Sequence, residues 1–271
     1  MENKAQKLPL MELFNTLQGE GFHTGKPATF IRLAGCDVGC FWCDVKESWD
    51  SNLHPSISEE SIVRQALNYK SKFAVITGGE PTLHNINGLV DKLKEKNFYT
   101  AIETAGTNPL PNNIDWVCFS PKKFKDPVPQ IYQEADELKV IIFQKSDLNW
   151  ALEHEKKITN KNCNLYIQPE WSKKDKNLPF ILTFLEKNPS WRINSIGHTD
   201  SKGSIRYNQI LSTLRSESVK TYICNRGINY KRVHTVGKGE TLPIAENVAA
   251  DGSDNPTGSA ANRRVEIQII K

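Results

Sequence analysis

The chain has 271 residues, room for one or two domains at roughly 100–200 residues each. With 38% hydrophobic and 24% charged residues it has a globular composition. No apolar run approaches the roughly 18 residues needed to cross a bilayer, and Met1-Glu2-Asn3-Lys4 lacks the apolar core of a signal peptide, so integral-membrane and conventionally secreted classes are not expected.

The net charge of +4 is unevenly placed. Residues 1–192 carry 24 basic and 24 acidic side chains, whereas residues 193–271 carry 11 and 7. All the excess sits in the last third, which argues for two parts of different electrostatics and against a nucleic-acid footprint on the neutral part.

Strand-like apolar runs recur at Ala28 to Ala34, Phe73 to Thr77, Tyr99 to Glu103, Trp116 to Ser120, Leu138 to Phe143 and Leu165 to Gln168. Helical patterns near 58–70, 85–96 and 147–158 separate them, and Ser56-Ile57-Ser58-Glu59 offers a capping box for the first. Strand–helix alternation with near-continuous apolar strands predicts an α/β fold: a parallel sheet, open or a partial (β/α) barrel. Chemistry in such folds gathers at the C-terminal ends of the strands. A helix over Leu178 to Lys187 ends at Asn188-Pro189. Then come a strand (Arg192 to Ile196), a polar turn (197–203), a long amphipathic helix (204–226) closed by Gly227, and a strand (Arg232 to Val236). A Gly/Asp/Asn/Pro-rich loop over 249–262 and a terminal strand (Val265 to Ile270) complete the chain. The expected domains are 1–192 and 193–271, with no flexible linker between them.

Six cysteines in a chain of this length make a poor disulfide framework. Cys118, Cys163 and Cys224 lie in apolar surroundings and read as small buried hydrophobes. Cys36, Cys40 and Cys43 form a C-x3-C-x2-C array in the loop after the first strong strand. Structural zinc wants four protein ligands, and no fourth Cys or His lies at natural spacing. A 4Fe-4S cluster on three thiolates leaves one iron open for a cofactor. Iron–sulfur, zinc and unbound thiols all remain open from spacing alone.

With Trp42 just before the third cysteine, and Thr77-Gly78-Gly79-Glu80-Pro81 closing the second strand, the array resembles radical S-adenosylmethionine (SAM) enzymes. Phe14-Asn15-Thr16-Leu17-Gln18-Gly19-Glu20-Gly21, Phe30-Ile31-Arg32, Ile102-Glu103-Thr104-Ala105-Gly106, Ser120-Pro121-Lys122, Glu137-Leu138-Lys139 and Gln168-Pro169-Glu170 follow in one order. As a set, over about residues 8–192, they resemble 7-carboxy-7-deazaguanine synthases of queuosine and 7-deazapurine biosynthesis. The resemblance implies a radical SAM type fold and a carbon–nitrogen lyase acting on 6-carboxy-5,6,7,8-tetrahydropterin with loss of ammonia. It implies a 4Fe-4S cluster on Cys36, Cys40 and Cys43, and SAM seated by Trp42, Gly79, Ser120, Lys122 and Gln168. Leu17, Gln18, Gly19, Arg32 and Thr77 are the matching positions for substrate, Arg32 suiting its carboxylate through a bidentate fork. Singly, Leu17-Gln18-Gly19 also fits an edge turn and Arg32 a surface ion pair. No side chain is assigned as catalytic.

Partners implied are a small pterin substrate, a reductant such as flavodoxin and a second copy in a homodimer, with no direct nucleic-acid contact and a cytoplasmic setting. Magnesium is also implied, but Val45 stands where a Thr or Ser ligand is usual, leaving Asp44, Ser48, water and substrate as donors. The family's last strand and short tail, expected after Trp191-Arg192, are replaced.

What replaces them, over about residues 178–271, resembles the outer-membrane protein A type peptidoglycan-associating domain. Ile196-Gly197-His198-Thr199-Asp200, Tyr207-Asn208, Leu211-Ser212, Arg215, Gly237-Lys238-Gly239-Glu240 and Asn262-Arg263-Arg264-Val265-Glu266 carry the likeness. It implies that Asp200 and Arg215 grip a zwitterionic cell-wall peptide; an internal strand-to-helix ion pair is the plainer reading. The segment lacks its usual first strand, and the Gln168-Pro169 strand stands there instead. Alternatives are a chimeric or inactive product whose C-terminal segment binds peptidoglycan, and another radical SAM enzyme such as a glycyl-radical activase.

Overall fold

In the computed structural model, which describes residues 6–249 and 251–270 (the Trp171 side chain excepted), the apolar runs without helical period become strands. In chain order the elements are β1 (Lys7–Leu17), β2 (Pro27–Leu33), β3 (Ser56–Ser58), α1 (Glu59–Ala66), β4 (Phe73–Gly78), α2 (Asn87–Glu95), β5 (Tyr99–Thr104), β6 (Trp116–Phe119), α3 (Ile131–Glu134) and β7 (Glu137–Ile142). Then follow α4 (Asp147–Lys157), β8 (Asn164–Pro169), α5 (Lys174–Lys187), β9 (Arg192–Gly197), α6 (Ile205–Cys224), β10 (Val233–Gly237), α7 (Pro256–Asn262) and β11 (Val265–Ile270). They fall into two compact units. One holds the described residues up to Gln18 with Lys26–Lys139 and Lys156–Cys163; the other holds Gly19–Gly25, Val140–Glu155 and the described residues from Asn164 on.

In the first unit β2, β4, β5, β6 and the start of β7 run parallel. The order is β3-β1-β2-β4-β5-β6-β7, an open sheet of the expected α/β class. Ile31, Val75, Ile76, Ile102 and Phe119 are fully buried in it, each contributing about 1.5–3 kcal/mol. The edge was not expected. β1 pairs antiparallel with β2, and its first residues pair with β3. Pro9 within β1 and a register shift between Leu10 and Glu12 break the alternation that marks a strand. The cap of α1 also differs: Ser56 lies in β3, and the Ser58 hydroxyl accepts from the Ser61 amide.

In the second unit the order is the end of β7, then β8, β11, β9 and β10. β10 runs parallel to β9, whereas β11 runs antiparallel to both β9 and β8. The strand that carries Gln168 and Pro169 therefore lies in one sheet with β9, β10 and β11. Helix α5 begins at Lys174 and accommodates Pro179 in its body. Helix α6 is not amphipathic in the expected sense. It turns Asn208, Ser212 and Ser216 inward, while Ile210 and Leu214 are exposed. Small polar side chains let it approach closely, with Ser195 Oγ donating to Ser216 O at 3.0 Å and Gly239 N to Ser212 Oγ at 2.8 Å. The loop expected over 249–262 holds α7, started by Pro256 and capped by Asn255, whose side chain accepts from Gly258 N.

Arg232 fastens this unit. Its Nε donates to Trp191 O at 2.8 Å, and its Nη2 to Leu185 O and Asn188 O at 2.7 and 2.9 Å, closing the C-terminal carbonyls of α5. Arg232→Ala leaves those carbonyls without their charged donor, and a loss of about 2 kcal/mol in unfolding free energy is expected on chemical denaturation. Glu266 Oε1 lies 2.6 Å from Arg264 Nη2 and 3.4 Å from His198 Nε2. Burial raises its carboxyl pKa, but the His198 contact and the Arg264 charge outweigh burial and hold it below the ordinary 4.5. A depressed carboxyl stabilises above its unfolded pKa, and that contribution disappears as pH falls through the folded value. Tm–pH curves of parent and Glu266→Gln are expected to differ at neutral pH and to converge as pH falls through the depressed carboxyl value.

Candidate active site

The C-terminal ends of the parallel strands of the first unit gather most of the singled-out residues. β4 ends in Thr77-Gly78-Gly79-Glu80, lying directly on the segment that leads into the cysteine array. Gly79 N donates to Leu33 O at 3.0 Å and Glu80 N to Gly35 O at 2.9 Å. A Cβ on Gly78, whose φ is +151°, would sit 1.9 Å from Leu33 O. One on Gly79 would sit 2.4 Å from Gly35 O and 2.7 Å from Cys36 Cβ. Only glycine permits this approach. On the other side Gly35 N and Cys36 N donate to Ser48 O and Trp49 O.

Between these supports Cys36, Cys40 and Cys43 pack into one cluster with Trp42, Val38 and Ala105. All three are free thiols. Burial pushes Cys40 up to about 11, the Lys122 charge opposing it. Burial likewise raises Cys36, against the amides of Val38 and Gly39. Thiolates here require a compensating cation, which iron supplies. Three clustered soft donors with no fourth fit a 4Fe-4S cluster with one open iron. Among the described residues no group of three His, Cys, Asp or Glu side chains is already spaced for a single metal ion.

Glu80 ties the strand ends together. It is buried, and its Oε1 accepts from Thr82 N at 3.1 Å and from the hydroxyls of Thr82 and Thr104 at 2.5 Å each. Its Oε2 accepts from Ala105 N at 2.7 Å. Ser120 is buried and accepts at O and Oγ from Lys122 Nζ, at 2.7 and 2.6 Å.

A second carboxylate, the half-buried Glu103 on β5, is the partner of several expected substrate positions. Gln18 Nε2 donates to its Oε1 at 2.8 Å, Thr77 Oγ1 approaches Oε2 at 3.5 Å, and Lys139 Nζ lies 3.8 Å from Oε1. Sequence reasoning gave neither Glu103 nor Lys139 a role. The available signal was a charge inside an apolar strand, Ile102-Glu103 and Leu138-Lys139-Val140. Arg32 stands in register with Thr77 across β2 and β4, and its Nε pairs with Glu12 Oε1 at 2.6 Å. Leu17 ends β1. Gly19 and Gln168 belong to the second unit, where Gln168 Nε2 donates to Glu20 Oε1 at 2.7 Å.

Val45 offers no side-chain oxygen, and the buried Ser48 hydroxyl donates to Val45 O at 2.6 Å. Asp44 alone remains exposed to solvent. Asp200 and Arg215 are not partners of each other: Asp200 Oδ2 accepts from Arg263 Nη1 at 2.6 Å, and Arg215 Nη1 donates to His198 O at 2.7 Å.

The Radical SAM superfamily profile matches residues 30–140. The 7-carboxy-7-deazaguanine synthase of Flavobacterium psychrophilum is 50% identical over 195 residues, 72% of this chain and 92% of that protein. That of Synechocystis sp. is 42% identical over 190 residues, 70% and 90% of the two chains. The chain belongs to the 7-carboxy-7-deazaguanine synthase family. The crystal structure of QueE from Escherichia coli superimposes with a TM-score of 0.60 at 32% identity, covering 67% of this chain and 91% of that one. The OmpA family profile matches residues 172–256, so its likeness begins just before α5. Membership in this radical SAM family implies a 4Fe-4S cluster and SAM, as the donor set already suggested.

The close approach at Gly79 gives a direct test. Gly79→Ala is expected to separate the end of β4 from Cys36 and to abolish SAM cleavage after anaerobic reconstitution, while far-UV circular dichroism stays near that of the parent.

Proposed function

We propose that the chain is the radical SAM lyase that converts 6-carboxy-5,6,7,8-tetrahydropterin to 7-carboxy-7-deazaguanine with loss of ammonia. The observation that supports this best is the convergence of Gln18, Thr77 and Lys139 on the Glu103 carboxylate, one strand away from the glycine contact that frames the cysteines. Cys36, Cys40 and Cys43 would hold the cluster, with SAM received by Gly79, Trp42, Ser120 and Lys122; Gln168, the fifth position the resemblance implies, belongs to the second unit. Bound there, cluster and SAM would supply one-electron radical chemistry, the electron coming from an external reductant.

The chain's own residues bind and orient. Glu103 is an acceptor for the N–H edge of a pterin, and Lys139 balances its charge when the strands bury it. Gln18 and Thr77 hold that carboxylate in place, and Leu17 and Gly19 flank Gln18 along the chain. Arg32, held through Nε by Glu12, presents the rest of its guanidinium to a carboxylate. No step is routed through magnesium, for which Asp44 is the one exposed protein donor among the expected residues.

Residues 1–192 form the synthase part in this proposal, and residues 193–271 a segment of different ancestry. The reading includes a reductant such as flavodoxin, because the cluster needs an electron donor, and a cytoplasmic setting, because export would expose the cluster to oxidation. A homodimer is carried over from the resemblance, and sedimentation reads it. Peptidoglycan binding through Asp200 and Arg215 is not favoured, since both charges are engaged within their own unit.

The test is anaerobic reconstitution and assay with carboxytetrahydropterin, SAM and reductant. The parent is expected to yield the deazaguanine. Alanine at any of the three cysteines is expected to remove cluster absorbance, and Glu103→Gln to lower kcat/KM by about tenfold or more while a cluster still assembles. Cluster formation and SAM cleavage without deazaguanine product overturn the substrate assignment; absence of cluster absorbance in the parent overturns the iron–sulfur site.

A further inference from the structure

The start of β1 follows one pairing register: Leu10 stands opposite Leu33, and Pro9 O accepts from Ala34 N at 2.9 Å. Continued without a break, that register would set Met11 opposite Arg32 and Glu12 opposite Ile31. The observed partners are Glu12 with Arg32, Leu13 with Ile31 and Phe14 with Phe30. Met11 is therefore an extra residue, a β-bulge, and it reverses the side-chain parity of the strand after it. Leu8 and Leu10, both buried, share the face of Leu33. Without the bulge Glu12 would follow them there, a carboxylate among apolar side chains.

With the bulge, Glu12 joins the face of Phe14, Phe30 and Arg32. Phe14 and Phe30 stack with ring centroids 5.3 Å apart, in one apolar cluster with Val75 and Ala101. One row on, toward the C-terminal end of β2, Glu12, Arg32 and Thr77 stand side by side. The Thr77 hydroxyl lies 3.5 Å from Glu103 Oε2, and all four residues belong to the first unit. The ion pair in this row is poorly suited to stabilising the fold. The Glu12 and Arg32 side chains are 45% and 20% exposed, and pairs in contact with water contribute little. Its geometry is specific instead. Glu12 Oε1 accepts from Arg32 Nε at 2.6 Å, which occupies one corner of the guanidinium and leaves its two Nη groups as a fork. A carboxylate then has one bidentate approach, end-on, in place of two.

We propose that Glu12, turned onto Arg32 by the bulge at Met11, is a positioning residue. It fixes Arg32 for end-on recognition of a carboxylate and so sets the preference for carboxylated over uncarboxylated pterins. This rests on the synthase assignment above. Glu12→Ala removes the acceptor, and Glu12→Gln keeps an acceptor oxygen without the charge.

The experiment uses the reconstituted full-length chain. It compares KM for carboxytetrahydropterin with the inhibition constant of tetrahydropterin, the same ring without the carboxylate. Glu12→Ala is expected to raise KM by about 3- to 10-fold, the range one hydrogen bond supports. Its kcat and its inhibition constant are expected to stay near those of the parent, and Glu12→Gln to lie closer to the parent than Glu12→Ala. Beside Arg32→Ala, Glu12→Ala is expected to add nothing, because its effect passes through Arg32. An unchanged KM overturns the proposal, as do equal rises in KM and inhibition constant. So does Glu12→Gln no better than Glu12→Ala, or an effect of Glu12→Ala that persists beside Arg32→Ala. Should Glu12→Ala not fold, Glu12→Val, better suited to a strand, decides by the same readouts. If the parent makes no deazaguanine, the synthase assignment fails separately. Equilibrium binding of the two pterins then decides, and a carboxylate preference that is absent, or indifferent to Glu12, overturns the positioning role.

Discussion

Leu33 and Gly35 accept backbone hydrogen bonds from Gly79 and Glu80 across a gap with no room for a side chain. That contact fixes the end of β4 against the start of the cysteine loop. Parallel pairing alone would not do so, because a strand may run past its neighbour by several residues before turning. Two glycines in succession permit the approach, and the next residue, Glu80, secures it by taking four donors from the Thr82 turn and the end of β5. Each of those bonds is to an ionised acceptor away from water, where charge assistance counts most. The Gly-Gly-Glu order is therefore a mechanical sequence, two positions of approach followed by one of fastening.

Two carboxylates at these strand ends are held differently. Glu80 is buried and spends its acceptor capacity on the protein. Glu103 is half-buried and engaged by an amide, a hydroxyl at 3.5 Å and an ammonium at 3.8 Å, a looser set. Burial of an ionised group is costly unless paired, and Lys139, itself buried, lies beside it.

The parallel strands were legible because a short, near-continuous apolar run bounded by turn signals is the pattern of a strand buried on both faces. The cysteine array and the Gly-Gly-Glu turn were legible because their spacing is itself the constraint. β1 was not: Pro9 and the shift between Leu10 and Glu12 erase its alternation, and only pairing with β2 reveals it. Helix α6 misled for a related reason. Apolar residues at helical spacing suggest an inward face, but Asn208, Ser212 and Ser216 permit a closer approach to β9 and were preferred for it. Glu103 and Lys139 were visible as letters in motifs, yet their mutual role depends on strands 36 residues apart in the chain meeting in one sheet.

The charge asymmetry and the compact units mark different boundaries, and the difference is informative. Charge excess begins after residue 192. The second unit begins in β7 and gathers β8 as well as Gly19–Gly25, because hydrogen-bonding edges must be satisfied regardless of origin. β11 presents two such edges, and β9 takes one. β8 takes the other, so a strand from before residue 192 completes the sheet that β9, β10 and β11 build. A seam drawn by sequence cuts between these strands; the physical unit cannot be cut there without exposing β11.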